Sequence, residues 1–225
     1  PGSRIITGCP TYLGAIQAWR AYQADFVTIP LDDDGMEVDM IEDKLREGTD
    51  IRYIYVLPNF HNPAGTTLPE SRRRSLVEIA REHDLIIVED DPYGALRYNG
   101  DPLTPISAMA PERTLYLGTF SKTLTPGLRI GWVAAPAEIR QHLVLAKQGA
   151  DLHSSTFDQM IANDIAQRGI IEAHVRHLRK TYGSRRDTML EALAEFWPEE
   201  CCWTRPQGGL FLWARIPGDV DTKEM

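Results

Sequence analysis

Cysteine is scarce in this sequence, which has three in 225 residues: Cys9, Cys201 and Cys202. Adjacent cysteines rarely bridge each other, so the pair near the end does not indicate a disulfide framework. Few cysteines, odd in number, are typical of proteins in a reducing compartment. The cysteine content therefore predicts a cytoplasmic protein.

Long apolar runs and an excess of basic residues are also missing. No run approaches the ~20 apolar residues of a membrane-spanning helix, and no signal peptide is visible. Lys and Arg number 24 against 32 Asp and Glu, a net charge of −8. Because nucleic-acid surfaces are usually basic, the sequence predicts neither a nucleic-acid nor a membrane partner. Gly-rich dinucleotide and P-loop patterns are absent as well.

The sequence does contain a regular alternation of strand-like and helix-like runs. Strand-like runs lie at 52–57, 85–88, 115–118 and 130–134, and an amphipathic helix at 69–84 separates the first two. With 43% apolar residues, a chain of this length can bury a substantial core. The alternation predicts an α/β protein with a mostly parallel sheet.

The stretch YLGTFSKTLTPGLRIGW, from Tyr116 to Trp132, carries the most chemical information. It begins as a strand, turns polar around Lys122, and reaches Arg129 behind a Pro-Gly turn. Burial disfavours the charged form of a lysine, and a neutral amine can form a Schiff base with an aldehyde. A guanidinium is suited to phosphate. The two together describe a site for pyridoxal phosphate, and an ordinary surface loop is the alternative.

Ser121-Lys122 followed by PGLRIG at 126–131 resembles the cofactor-lysine motif of the fold-type I pyridoxal-phosphate enzymes. The variant is similar to that of class I/II aminotransferases acting on 2-aminoadipate and aromatic amino acids. The resemblance implies a three-layer sandwich with a mostly parallel central sheet (the PLP-dependent transferase fold) and pyridoxal 5'-phosphate as cofactor. It assigns Lys122 as the catalytic residue, and Thr119, Ser121 and Arg129 to the cofactor's phosphate.

Two strand-end motifs agree with this resemblance. NPAG at 62–65 resembles the family's NP(T/A)G motif, which implies that Asn62 donates to the cofactor's ring oxygen. The run at 85–88 ends in acidic residues, and the family's spacing of an aspartate three residues before a tyrosine selects Asp90 with Tyr93. Asp90 is then the partner of the protonated ring nitrogen, and Tyr93 bonds the ring oxygen. An ordinary turn and an acidic strand-end turn are the alternatives.

Other segments are interpreted more simply. The segment 7–24 is interpreted as helical from Pro10-Thr11 onwards, and the resemblance assigns Tyr12 to stack on the cofactor ring; a core-packed tyrosine is the equal alternative. The basic run at 72–74 is interpreted as a solvated helix face. Neither the aspartates at 32–34 nor the histidines at 174 and 177 predict a metal site.

The resemblance runs nearly end to end but covers a middle part of the usual family chain, and the sequence starts without a methionine. We therefore expect a large cofactor-binding domain at 1–168, lacking its N-terminal part. The remainder, 169–225, is expected to be a connecting helix and the truncated start of a smaller α+β domain, with a strand at 210–216.

The expected function is that of a homodimeric aminotransferase, which moves an amino group between an amino acid and a 2-oxo acid. One alternative is the effector-binding, aminotransferase-like domain of a pyridoxal-phosphate-dependent transcription regulator, a class that shares the GTFSKTLxPGLR stretch. Such regulators tend to lack the asparagine found here at Asn62 and to carry a DDYD-like run where this sequence has DDPY at 90–93. Both features favour the enzyme. The other alternative is a different reaction on the same cofactor, such as β-elimination or decarboxylation.

Overall fold

A seven-stranded sheet forms the centre of the computed structural model, which describes residues 2–48 and 50–218. The strands are β1 (Arg4–Cys9), β2 (Asp25–Asp32), β3 (Gly35–Met36), β4 (Ile51–Val56), β5 (Ile86–Asp90), β6 (Thr114–Thr119) and β7 (Gly131–Ala134). Their order is β3-β2-β1-β4-β5-β6-β7. The five inner strands are parallel, and the edge strands β3 and β7 are antiparallel to their neighbours. The prediction of a mostly parallel sheet is confirmed.

Helices cover both faces of the sheet. They are α1 (Leu13–Arg20), α2 (Met40–Arg46), α3 (Glu70–Glu82), α4 (Ile106–Met109), α5 (Ala137–Asp151), α6 (Thr156–Gln167) and α7 (Ile170–Phe196). One apolar cluster joins α2, α3 and α4 to alternate strand residues such as Ile54 and Ile87. A second cluster packs Trp19 of α1 against the opposite face, at Tyr55 and Val88. The predicted three-layer sandwich is therefore confirmed.

The last described segment folds back onto the loops at the strand ends. It contains a second sheet of two short strands, β8 (Cys202–Trp203) and β9 (Ala214–Arg215). The Tyr98 hydroxyl donates a hydrogen bond to the carbonyl of Gly209, and a Cβ at Gly208 would lie 2.3 Å from the ring of Phe60. Glycine is thus required at position 208 by close packing. The domain boundary at 168 stays a prediction.

Three of the simpler interpretations are wrong in part. The helix expected from Pro10-Thr11 onwards starts only at Leu13, and the residues before Pro10 form the strand β1, which was not predicted. The strand expected at 210–216 is reduced to Ala214–Arg215. In the basic run, Arg73 is buried with 0% exposure, whereas its two neighbours reach solvent.

The described residues contain neither a membrane-spanning helix nor a metal cluster. No helix there is long and apolar enough to cross a membrane. In the same part of the chain, no group of three or more His, Cys, Asp or Glu side chains is placed to hold a metal ion.

Candidate active site

The candidate site lies at the carboxyl ends of four adjacent parallel strands, β1, β4, β5 and β6. Tyr12 follows β1, Asn62 follows β4, Asp90 ends β5, and Lys122 lies three residues beyond β6. Parallel strands present their carboxyl ends at the same edge of a sheet, where ligands bind in open α/β folds. The sheet therefore brings these four residues, which are far apart in the sequence, to one edge.

Three acidic residues lie at or just after the end of β5, and in two of them, Glu89 and Asp91, each carboxylate oxygen has a hydrogen-bond partner within the protein. Glu89 is 0% exposed, and its oxygens accept hydrogen bonds from two backbone N–H groups at the start of α4, at 2.9 and 2.7 Å. Asp91 accepts a hydrogen bond from the Tyr116 hydroxyl at 2.9 Å and one from the backbone N–H of Gly94 at 2.8 Å. An acidic strand-end turn is a sufficient explanation for these two residues.

Asp90 differs from its two neighbours. Its Oδ2 accepts a hydrogen bond from the Tyr55 hydroxyl at 2.6 Å, and its Oδ1 accepts none from the described residues. Burial raises the pKa of Asp90, and the bond from Tyr55 partly opposes that rise. No cationic side chain in the described part of the chain pairs with this carboxylate. A desolvated carboxylate with an open oxygen is suited to a cationic ligand.

Tyr93 links the remaining predicted residues of this cluster. It is 4% exposed, and burial raises its pKa to about 12, although an interaction with the Asn62 side chain lowers it. Tyr12 and Asp90 lie close enough to raise the pKa of Tyr93 further. Tyr12 itself is 42% exposed, so it is not a core-packed tyrosine. The structure thus brings Tyr12, Asn62, Asp90 and Tyr93 together.

The loop after β6 holds the second group of predicted residues. The Thr119 hydroxyl donates to the carbonyl of Ile130 at 3.1 Å and accepts a hydrogen bond from the backbone N–H of Ser121 at 3.1 Å. The two hydroxyl oxygens of Thr119 and Ser121 lie 3.0 Å apart. Lys122 follows, half-buried, and its amine forms no hydrogen bond or ion pair with the described residues. The base of the loop is closed where the N–H of Phe120 donates to Ile130 at 3.1 Å.

Arg129 ends the same loop in a left-handed backbone conformation, with φ of +53°. Its exposed guanidinium donates to the carbonyl of Pro126 at 3.3 Å and has no acidic partner among the described residues. Two cations, two hydroxyl groups and no paired carboxylate among the described residues suit this loop to an anion. Among the described residues, no hydrogen bond joins this loop to the Asp90 cluster.

Sequence reasoning did not identify Tyr55, Arg73 or His61 as contributors. Tyr55 sits inside a strand, where an aromatic residue is ordinarily a core residue. Arg73 contacts both ends of the loop that carries Asn62. His61 is 5% exposed, and burial lowers its pKa to about 4. The sequence signal for Tyr55 is that it alternates with Ile54 and Val56, which places it on the face of β4 that packs against α1.

A cavity of about 540 Å³ lies on the other face of β6, towards α7, and among the predicted site residues it is lined by Thr119 alone. Asp91 and Tyr116 line it too. The lining thus includes Asp91 but not Asp90.

Comparison with known proteins gives consistent results. The family described as "Aminotransferase class I and II" matches residues 1–225. Aromatic-amino-acid aminotransferase 1 of Thermococcus litoralis is 49% identical over 100% of this chain and 55% of its own length. A crystal structure of kynurenine aminotransferase from Pyrococcus horikoshii, in complex with PMP, superposes with a TM-score of 0.97 at 46% identity, covering 100% of this chain and 57% of that one.

Two further relatives bear on the choice between enzyme and regulator. The alpha-aminoadipate aminotransferase of Thermus thermophilus, complexed with N-(5'-phosphopyridoxyl)-L-leucine, has a TM-score of 0.94 at 36% identity over 99% of this chain and 58% of that one. A protein of Bacillus subtilis named "Uncharacterized HTH-type transcriptional regulator YisV" is 34% identical over 94% of this chain and 44% of its own length. The chain spans about half the length of the curated relatives it matches.

Proposed function

Since the chain belongs to the class I and II aminotransferases, we propose that the protein moves an amino group between an amino acid and a 2-oxo acid, with pyridoxal 5'-phosphate as its cofactor. The observation that carries this proposal is the buried Asp90 carboxylate, whose Oδ1 has no hydrogen-bond partner among the described residues. It lies at the end of β5, next to the strand β6 that leads to Lys122, an amine also without a partner there. Aromatic amino acids and 2-aminoadipate are the first donors to test, because relatives of this chain are named for them.

The residues present fit the proposed cofactor group by group. Asp90 offers an anionic oxygen to a protonated ring nitrogen, and Asn62 and Tyr93 offer donors to a ring oxygen. The loop after β6 offers hydroxyl and guanidinium donors to a phosphate, from Thr119 through Arg129. The exposed ring of Tyr12 is available for stacking.

In the proposed mechanism, Lys122 has two roles. Its amine would hold the cofactor's aldehyde carbon and, when free, would take the proton from the substrate α-carbon as a base and deliver it to that former aldehyde carbon as an acid. The bound cofactor supplies an electron sink, which acidifies that α-carbon proton. Asp90 would keep the ring nitrogen protonated, while Asn62 and Tyr93 would orient the ring through its oxygen. Arg129 and the two hydroxyl groups would fix the phosphate.

We further propose that the protein works as a homodimer in the cytoplasm, without a nucleic-acid or membrane partner. Three free cysteines support a reducing compartment, and a net charge of −8 disfavours nucleic acid. Light scattering and cell fractionation test the dimer and the location.

The second candidate function is that of an effector-binding domain in a transcription regulator. The relative YisV favours it, since it matches nearly the whole of this chain. Asn62 and the DDPY sequence at 90–93 favour the enzyme, as argued from the sequence. DNA binding by a full-length protein that binds the cofactor but transfers no amino group would decide for the regulator.

The experiment compares Lys122→Ala with Lys147→Ala in the full-length protein. Lys147 is a surface lysine paired with Asp151 at 2.8 Å, so its removal controls for the loss of a charge. We expect wild type and Lys147→Ala to show a borohydride-reducible cofactor adduct and transamination, and Lys122→Ala to show neither. An adduct on the same peptide of Lys122→Ala would contradict the assignment.

A further inference from the structure

Tyr55 lies beside Asp90 in the core and has no role in the sequence motifs. Its hydroxyl donates a hydrogen bond of 2.6 Å to Oδ2 of Asp90, and 1% of its surface is exposed. We propose that Tyr55 is a positioning residue, which fixes the Asp90 carboxylate through Oδ2 and leaves Oδ1 for the protonated ring nitrogen of pyridoxal phosphate. The inference rests on the proposed function, because it concerns how Asp90 is held for that cofactor.

The register between β4 and β5 explains how the tyrosine reaches the aspartate. Tyr55 pairs with Val88, and Asp90 lies two residues further along β5. Side chains two residues apart on a strand project from the same face of the sheet. The long side chain of Tyr55 spans the resulting diagonal. The contact is therefore set by two adjacent central strands rather than by a loop.

Packing around the ring keeps the hydroxyl in place. Trp19 of α1 meets the Tyr55 ring edge-on, with the ring centroids 4.9 Å apart and the planes at 90°. Both rings belong to the apolar cluster between α1 and the sheet. Because interiors are close-packed, the phenol cannot swing away from Asp90 without opening this cluster.

The direction of the hydrogen bond follows from the surroundings of the two groups. Burial raises the pKa of Tyr55 well above its ordinary range, and the charge of Asp90 raises it further, so the phenol remains the donor. Burial raises the pKa of Asp90, whereas the bond from Tyr55 lowers it. Tyr55 therefore favours the ionised form of Asp90, which is the form that can hold a cationic nitrogen.

The chain contains a matched control for this contact. Tyr116 donates the corresponding hydrogen bond to the neighbouring Asp91, at 2.9 Å, on the face of the sheet that lines the cavity. Tyr55→Phe and Tyr116→Phe each delete one phenolic hydroxyl that is bonded to an aspartate. A difference between the two variants therefore reports which aspartate matters to the cofactor.

The test is a double-mutant cycle in the full-length protein, with Tyr55→Phe, Asp90→Asn and the double variant beside Tyr116→Phe. Two quantities are measured: the dissociation constant of the apoprotein for pyridoxal phosphate, by fluorescence titration, and the single-turnover rate with an amino donor. A lost hydrogen bond to a charged group corresponds to about a 10- to 100-fold change. For Tyr55→Phe, we expect the loss of affinity multiplied by the loss of single-turnover rate to be of this order. For Tyr116→Phe, we expect both quantities to stay within about threefold of wild type.

The cycle distinguishes a positioning role from a structural one. If Tyr55 acts through Asp90, Tyr55→Phe adds little once Asp90 is replaced by asparagine. An equal loss in both backgrounds, or an equal loss in Tyr116→Phe, would overturn the proposal. A wild-type protein that binds no pyridoxal phosphate would instead refute the proposed function itself, so the two failures are distinguishable.

Discussion

Replacing Arg73 with methionine should destabilise the protein strongly, although Arg73 lies in a run of three arginines on one helix. The residue has 0% exposure. Its guanidinium donates to the carbonyls of Leu68 at 2.8 Å, Pro58 at 3.0 Å and Thr104 at 3.1 Å, and to Oδ1 of Asn59 at 2.7 Å. Pro58 and Leu68 are the two ends of the loop that carries the NPAG sequence.

The magnitude follows from these acceptors. Methionine fills much of the same space, so the loss of packing is small. In the variant, the carbonyl of Pro58 keeps a hydrogen bond from the N–H of Leu68 at 2.9 Å. The other three acceptors, on Leu68, Thr104 and Asn59, lose the hydrogen bond from the Arg73 guanidinium. Each buried acceptor left without a partner costs about 1–3 kcal/mol, and the relief of no longer burying the Arg73 cation offsets part of that sum. We expect a loss of about 3–5 kcal/mol in the free energy of unfolding, the sum for three buried neutral acceptors after that offset.

The assay is urea unfolding of the full-length apoprotein, with Arg74→Met as the control. Arg74 forms an ion pair with Glu70 on the surface, and such pairs contribute about 0–1 kcal/mol. Because Arg73 ties down the loop that carries Asn62, Arg73→Met should also weaken pyridoxal phosphate binding, and the control should not. Equal unfolding midpoints for the two variants would refute the reasoning, since the four hydrogen bonds would then contribute nothing.

Two further predictions concern the acids at the end of β5 and the buried histidine. Asp90→Asn should slow proton transfer by at least about 10²-fold while the cofactor remains bound. Asp91→Asn should slow it much less, because Asp91 is hydrogen-bonded to Tyr116 and Gly94 on the other side of the strand. Single-turnover assays measure both rates, and a greater effect of Asp91→Asn would show that the assignment on this strand is wrong. Burial lowers the pKa of His61 from 6.5 to about 4. As the pH falls, the unfolded state is therefore protonated at His61 before the folded state is. The free energy of unfolding should accordingly decrease by about 3 kcal/mol as the pH falls from 6.5 towards 4. Urea midpoints between pH 4 and 7 measure this loss, which His61→Gln should remove; an unchanged pH dependence in the variant would contradict the assignment.

The sequence was sufficient to predict the layers of the fold and the strand ends where the candidate site residues lie, because these depend on local patterns. The all-apolar run before Glu89 and the β-rich run before Pro58 are patterns of period and composition. The strand β1 (RIITGC) was missed because its apolar run, Ile5-Ile6, is too short to give a local pattern, and its stability comes from pairing with β2 and β4. Those pairings bring together segments that are distant in the sequence, and no window of residues contains them.

Arg73 and Tyr55 were missed for a related reason. A helical pattern shows that position 73 faces the same side as Leu76 and Ala80. It cannot show that backbone carbonyls lie there to accept hydrogen bonds from a guanidinium. The pattern of β4 likewise shows Tyr55 to be internal without showing an aspartate beside its hydroxyl. In both cases the partner belongs to another part of the chain.

The order of the strands explains why the candidate site residues are far apart in the sequence but lie at one edge of the sheet. In the sheet, β1, β4, β5 and β6 are neighbours, and three spacings of about 4.8 Å separate the first from the last, about 14 Å in all. Helices inserted between these strands change the spacing in the sequence without moving the strand ends. A shift of one residue within β5 is different, because it would exchange the faces of Asp90 and Asp91. Asp90 would then face the side of Glu89 and α4, away from the Tyr55 hydroxyl that holds it. The parity of this one strand therefore decides which of three consecutive acids would face the proposed cofactor.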